Sequence, residues 1–166
     1  NDLILKRMKR RHSRQQVIEF CSKVRSIRKD AVFGADIIAG FPTETEEMFQ
    51  DSLDMIRECN LTHLHIFPYS IRKGTPAALM PQVPKDIIKK RARILREEGE
   101  KQMQKYLQKQ IGNSATMLVE QVKENFSYGK SQHFTKIKLS YNFKEGEIVK
   151  CVITDFNNDI LSAQLV

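Results

Sequence analysis

Two stretches of this 166-residue chain hold residue types at spacings that could do chemistry. The first is Asp36-Ile-Ile-Ala-Gly-Phe-Pro-Thr-Glu-Thr-Glu-Glu47, and the second is His65-Ile-Phe-Pro-Tyr-Ser-Ile-Arg-Lys-Gly-Thr-Pro-Ala-Ala78. Each reads as a buried strand running into a Gly/Pro turn, which is where α/β enzymes place ligands. Gly40 would let backbone approach a ligand closely, and the helix start after Pro42 would offer free amide donors. An ordinary βα turn is the competing reading.

Other candidates are chemically incomplete. His63 and His65 lie two apart on a strand and face one side, but two ligands do not make a zinc site, so core or loop-packing histidines are expected. Cys21, Cys59 and Cys151 are scattered and none belongs to a Cys-x-x-Cys pair, which argues against a disulfide framework and a complete metal site. Cys21 and Cys151 read as buried small hydrophobes. Residues 129–138 interleave Lys130, His133, Lys136 and Lys138 with Phe134, and phosphate contact plus base stacking is the physical basis of RNA binding.

Charge is uneven. The net +8 divides into +7 over residues 1–30 (10 basic, 3 acidic), −4 over 31–80 (3 and 7), +5 over 81–110 (9 and 4) and 0 over 111–166 (6 and 6). Two basic segments flanking an acidic one suit a polyanion partner, with solvated helix faces as the alternative. No apolar run approaches a membrane span and no signal-peptide pattern opens the chain, so a cytoplasmic protein is expected. The chain opens on Asn1 rather than Met, and residues are expected to precede it.

Those residues need elements to hold them. Ser13-Arg-Gln-Gln16 has the form of a capping box, and Val17, Cys21, Val24 and Ile27 recur at helical spacing, which predicts a helix from about 14 to 28. Residues 32–39 form an apolar run without alternation, as in a strand covered on both faces. Thr43 with Glu46 reads as a second capping box. Phe49, Leu53 and Ile56 mark the buried stripe of a helix ending near Asn60, and Leu61 to Tyr69 reads as the next strand. Gly74, Pro76 and Pro81 make 70–83 a loop; Pro84 then suits the first turn of a long basic amphipathic helix reaching about Gln110, with Gly112 as its stop. Beyond it, Thr116 to Val122, Thr135 to Leu139, Ile148 to Thr154 and Ile160 to Leu165 are short strand candidates. Turn residues such as Tyr128-Gly129, Glu145-Gly146 and Asn157-Asn158-Asp159 separate them, which suggests a small antiparallel barrel. The expected fold is α/β over 1–111 followed by all-β over 112–166.

The two opening stretches closely resemble the late strands of the radical S-adenosylmethionine barrel in tRNA methylthiotransferases. Gly40-Phe-Pro-x-Glu-Thr after an Asp-Ile-Ile strand is similar to that family's fifth-strand motif. The resemblance implies that Ile38, Gly40, Phe41, Pro42 and Glu44 border the adenine of S-adenosylmethionine. Thr43 stands where the family usually has Gly, which implies a stiffer loop. Phe67-Pro-Tyr-Ser70, with Arg72 and Gly74 to Ala78, resembles the sixth-strand motif and puts Pro68 and Tyr69 near the cofactor. Residues 5–12 resemble the segment after the fourth strand, where Arg10 could contact a carboxylate or phosphate. For Lys6, Arg7 and Lys9 a solvated basic turn is the competing reading.

The last segment resembles a TRAM domain, a small β-barrel that holds tRNA in this family. That implicates Lys130, His133, Phe134, Lys136 and Lys138, assisted by Lys89, Lys90, Arg91, Arg93 and Arg96 on the basic helix. His65-Ile-Phe-Pro-Tyr-Ser70 is closest to the branch that modifies threonylcarbamoyladenosine. The resemblance implies an intact enzyme in which upstream cysteines, absent from this chain, bind 4Fe-4S clusters. There S-adenosylmethionine is cleaved to a radical, and a tRNA adenosine beside the anticodon receives a methylthio group. Expected partners are tRNA, S-adenosylmethionine and the N-terminal domains of the same protein. This chain by itself is expected to be inactive, with no catalytic residue or metal ligand of its own. The alternative is a stand-alone RNA-binding module.

Overall fold

The computed structural model describes residues 1–166, which fall into two units, 1–102 and 103–166. In the first, a short helix α1 (Asp2–Arg7) starts on an Asn1 cap. Helix α2 (Arg14–Ile27) starts on the expected box: Ser13 Oγ accepts from the Gln16 amide while Gln16 accepts from the Ser13 amide. Strands β1 (Phe33–Ala39) and β2 (Leu61–Pro68) pair in parallel, Ile37 opposite Ile66 and Ile38 opposite Phe67. Parallel neighbours need a crossover, and α3 (Glu46–Glu58) supplies it. A 3-10 turn (Pro76–Leu79) and the long α4 (Lys85–Gln110) follow. Cys21, Ala39, Phe49, Leu53, Ile56, Leu61, Ala92 and Leu95 form the core.

Three expectations change here. Helix α3 is capped by Thr45, whose hydroxyl accepts from the Met48 amide. Thr43 is unsuited to capping because its φ is 70°, whereas an N-cap needs extended backbone. Strand β1 is covered on one face only: Phe33, Ala35 and Ile37 pack on the helices, while Asp36, His65 and Phe67 are exposed on the other face. His65 is therefore not a core histidine, and His63 is half-buried beside Gly34. Lys6 and Arg7, for which a solvated basic turn was the competing reading, lie in the short helix α1, which Asn1 caps and whose Ile4 is buried.

In the second unit five strands close into a barrel in the order β3-β4-β5-β7-β6. They are β3 (Ser114–Lys123), β4 (Phe126–Ser131), β5 (Lys136–Leu139), β6 (Ile148–Asn157) and β7 (Ile160–Leu165). All neighbours are antiparallel except β5 and β7. Met117, Val119, Ile137, Leu139, Cys151, Ile153 and Leu161 fill the interior together with Leu107. Strand β4 was not anticipated. Tyr128-Gly129 lies inside it rather than in a turn, and the reversal falls at Glu124 and Asn125, with Glu124 at φ 53°. No helix is long and apolar enough to cross a membrane.

Candidate functional site

The chain leaves β1 at Ala39 and turns through Gly40 at φ 73°. Phe41, Pro42 and Glu44 are all buried. Glu44 Oε2 accepts from the Gly40 amide at 2.9 Å and from Arg91 Nη1 at 2.9 Å. Arg91 Nη1 also donates to the Glu44 carbonyl at 2.9 Å, and Nη2 to Glu46 at 3.1 Å. The Thr43 amide donates to the Pro81 carbonyl at 3.0 Å, and the Thr43 hydroxyl accepts from Arg7 and donates to the Pro42 carbonyl. From β2, the Tyr69 amide donates to the Ala39 carbonyl at 2.9 Å, and the Phe41 and Tyr69 rings meet edge-on with centroids 5.5 Å apart. Burial pushes the Glu44 carboxyl above its ordinary range, while Arg91 and the Gly40 amide pull it down.

Three amides of the turn itself are engaged, Gly40 with Glu44, Thr43 with Pro81, and Glu44 with the Phe41 carbonyl. Glycine at position 40 makes room for α4, since a Cβ there would stand 2.5 Å from Ile88 Cγ1. What the strand ends present is apolar and aromatic. Ile38 is half-buried opposite the exposed Phe67, Pro68 is exposed, and the half-buried Tyr69 keeps a hydroxyl that is out of solvent and without a hydrogen-bond partner. Apolar and aromatic strand ends, with one buried hydroxyl lacking a partner beside them, suit a heterocyclic ring better than they suit an anion.

Arg7, not Arg10, reaches this loop; Arg10 is exposed beyond α1. Arg91 does not join the solvent-facing cations of α4 either, being buried, whereas Lys90 and Arg93 are exposed and Arg93 pairs with Glu97 at 3.0 Å. Position 91 falls within the apolar stripe set by Ile88 and Leu95. That register was a signal in the sequence, masked by the run of basic residues around it.

On the barrel, the outward positions of β4 and β5 form one face. Tyr128 lies opposite Lys138 and Lys130 opposite Lys136. Lys138 Nζ sits 3.7 Å from the Phe126 ring centroid and 5.8 Å from that of Tyr128. Lys130 pairs with Glu120 at 3.4 Å and Lys136 with Asp159 at 2.7 Å. Phe134 is 77% exposed in the tight turn between these strands, and His133 is half-buried there. Phe126 and Tyr128 were missed in the sequence because Gly129 read as a turn, although Phe126, Tyr128 and Lys130 alternate with strand period.

The three cysteines do not meet at one place. Cys21 and Cys59 share the first core and Cys151 belongs to the barrel interior. Burial, with Cys21 adding to it, pushes the Cys59 thiol up to about 11, and burial raises that of Cys151. No group of three or more His, Cys, Asp or Glu side chains could hold a metal ion.

No protein-family profile matches the chain. Individual relatives do. The threonylcarbamoyladenosine tRNA methylthiotransferase MtaB of Rickettsia prowazekii is 47% identical over 166 residues, 100% of this chain and 38% of that protein. The tRNA-2-methylthio-N(6)-dimethylallyladenosine synthase of Mycobacteroides abscessus is 41% identical over 120 residues, 72% of this chain and 24% of that protein. The synthase of the same name from Rickettsia prowazekii is 32% identical over 168 residues, 98% of this chain and 38% of that protein. The chain thus spans no more than 38% of the length of these relatives.

Proposed function

Because this chain belongs to the family of tRNA methylthiotransferases that those relatives represent, we propose that it forms the part of such an enzyme that borders S-adenosylmethionine and grips tRNA. The reaction is addition of a methylthio group to a modified adenosine beside the anticodon. The wall at the ends of β1 and β2 is the observation that carries the cofactor half of this reading. The adenine would lie against Ile38, Pro68 and Tyr69, and the Tyr69 hydroxyl, buried without a partner, could join it only if the ring shifts toward the ligand. Gly40, Phe41, Pro42 and Glu44 would shape the loop beneath it. Arg10 would serve the charged end of the ligand only from solvent.

When bound, the cofactor and a four-iron, four-sulfur cluster supply the radical chemistry of this family. The cysteines of this chain do not fit such a cluster: only Cys21 and Cys59 share a core while Cys151 lies in the barrel interior, and burial favours the thiol of Cys59 and of Cys151 over the thiolate that iron requires. The cluster ligands belong elsewhere in the enzyme, so residues 1–166 alone are expected to transfer no methylthio group. The barrel would be a TRAM domain, holding tRNA through Lys130, His133, Phe134, Lys136 and Lys138, with Lys90 and Arg93 as further phosphate contacts. The threonylcarbamoyladenosine branch is favoured, since identity to the two Rickettsia prowazekii enzymes is 47% against 32%.

The test is anaerobic assay of the full-length gene product with tRNA bearing threonylcarbamoyladenosine, followed by mass spectrometry of the nucleosides. A methylthio adduct dependent on S-adenosylmethionine supports the reading; an unchanged nucleoside with a reconstituted cluster overturns it. The second reading, a stand-alone RNA-binding module, is favoured by the lysine-aromatic face of the barrel. It expects salt-sensitive RNA binding by residues 1–166 with no response to S-adenosylmethionine.

A further inference from the structure

Arg91 is the one buried arginine of the chain, and its surroundings are built around the loop after β1 rather than around its own helix. Its fork spans Glu44 and Glu46, its Nη1 is shared between the carboxylate and the carbonyl of Glu44, and its guanidinium lies over the Phe49 ring at 5.2 Å. Glu44 in turn holds the Gly40 amide, and Ile88, one turn before Arg91, fills the space beside Gly40. Loop and helix are thereby locked at three consecutive points: Gly40 on Ile88, Glu44 on Arg91, Glu46 on Arg91.

We infer that Arg91 is a positioning residue for the adenosyl ligand, clamping the Gly40–Glu44 loop against α4 so that the strand-end wall is formed before the ligand arrives. The inference rests on the proposed cofactor reading and goes beyond it, because Arg91 lies outside both motifs that suggest the site and touches no surface of the wall itself. Removing the guanidinium strands the Glu44 carboxylate in a dry environment. The carboxylate must then take up a proton, which weakens its hold on the Gly40 amide, or swing outward, which releases that amide and frees the turn carrying Phe41, whose ring meets Tyr69. Lysine is a poor substitute, since a compact ammonium on a flexible stem does not span Glu44 and Glu46 as the planar fork does.

The test is titration calorimetry of S-adenosylhomocysteine into the full-length protein, wild type against Arg91→Met and Arg91→Lys, with melting temperature and tRNA affinity measured in parallel. The expected result is a loss of about tenfold or more in affinity for both variants, since a preorganised wall is replaced by a mobile one. Affinity for tRNA is expected to be unchanged. If Arg91→Met does not fold, Arg91→Lys decides alone: weaker ligand binding with an unchanged melting temperature supports the inference. Wild-type ligand affinity in either folded variant, or an equal loss of tRNA affinity, overturns it. A wild-type protein that binds no S-adenosylhomocysteine removes the cofactor reading first, and the inference with it.

Discussion

Gly129 of β4 passes so close to Leu118 of β3 that a Cβ on the glycine would stand 1.9 Å from the Leu118 carbonyl oxygen and 3.2 Å from the Met117 side chain. The first obstacle is backbone inside a closed barrel and cannot rotate aside. Gly129→Ala is expected to destabilise the protein by at least about 2 kcal/mol through forced separation of the two strands. Gly146→Ala serves as the contrast: it has φ 89° but nothing within 4 Å, so only the left-handed backbone penalty of about 1–2 kcal/mol applies. Urea denaturation of both variants checks the order.

The acid limb of stability should report Glu98. Its carboxyl is held below the ordinary 4.5 chiefly by the Arg57 hydrogen bonds at 3.1 Å. A depressed value in the folded state means stabilisation present above the ordinary value and lost as pH falls through the folded one. Glu98→Gln is therefore expected to flatten the decline in stability below about pH 4.5. Glu44 has the opposite sign. Its raised carboxyl contributes at low pH and loses that contribution as pH rises through the folded value, so Glu44→Gln should remove a decline that sets in above the ordinary 4.5. Denaturation midpoints from pH 3 to 8 check both.

Two of the lysines proposed to meet RNA already have partners, Lys130 with Glu120 and Lys136 with Asp159. Neutralising those acids frees the cations and removes local repulsion of phosphate. Glu120→Gln and Asp159→Asn are expected to tighten tRNA binding severalfold, whereas Lys138→Ala weakens it and lowers the salt slope by about one. Filter binding across a salt series distinguishes these from a general loss of fold.

Phe134 combines 77% exposure with φ 59°, a conformation unfavourable for a bulky side chain. The proposed role in stacking gives a reason for the ring that stability does not. Phe134→Gly should leave stability within about 1 kcal/mol of wild type, the relieved strain offsetting the added freedom of the unfolded chain. RNA affinity should fall at least about fivefold, the loss of one stacked base. Unchanged affinity would mean that the ring is not a stacking platform.

Local pattern accounts for much of this protein's secondary structure. Ser13 and Gln16 cap α2 as written, and Phe49, Leu53 and Ile56 are buried as their spacing requires, because capping and amphipathic burial depend on neighbours within a turn or two. Contacts between distant segments decided the rest. Arg91 is buried only because Glu44, 47 residues away in the chain, comes to meet it, and no local rule distinguishes it from Lys90. Thr43 holds φ 70° because Arg7 and Pro81 engage it from both sides, which moves the helix cap to Thr45. Tyr128 and Gly129 belong to a strand because β4 pairs there with β3, and the Leu118 carbonyl lies where a side chain at position 129 would have stood, so the glycine that looked like a turn marks a close approach of two barrel strands. By itself the amino-acid order determined the element types and the apolar sets; long-range partners chose which charges could be buried, which backbone strain could be held and which aromatic rings faced outward.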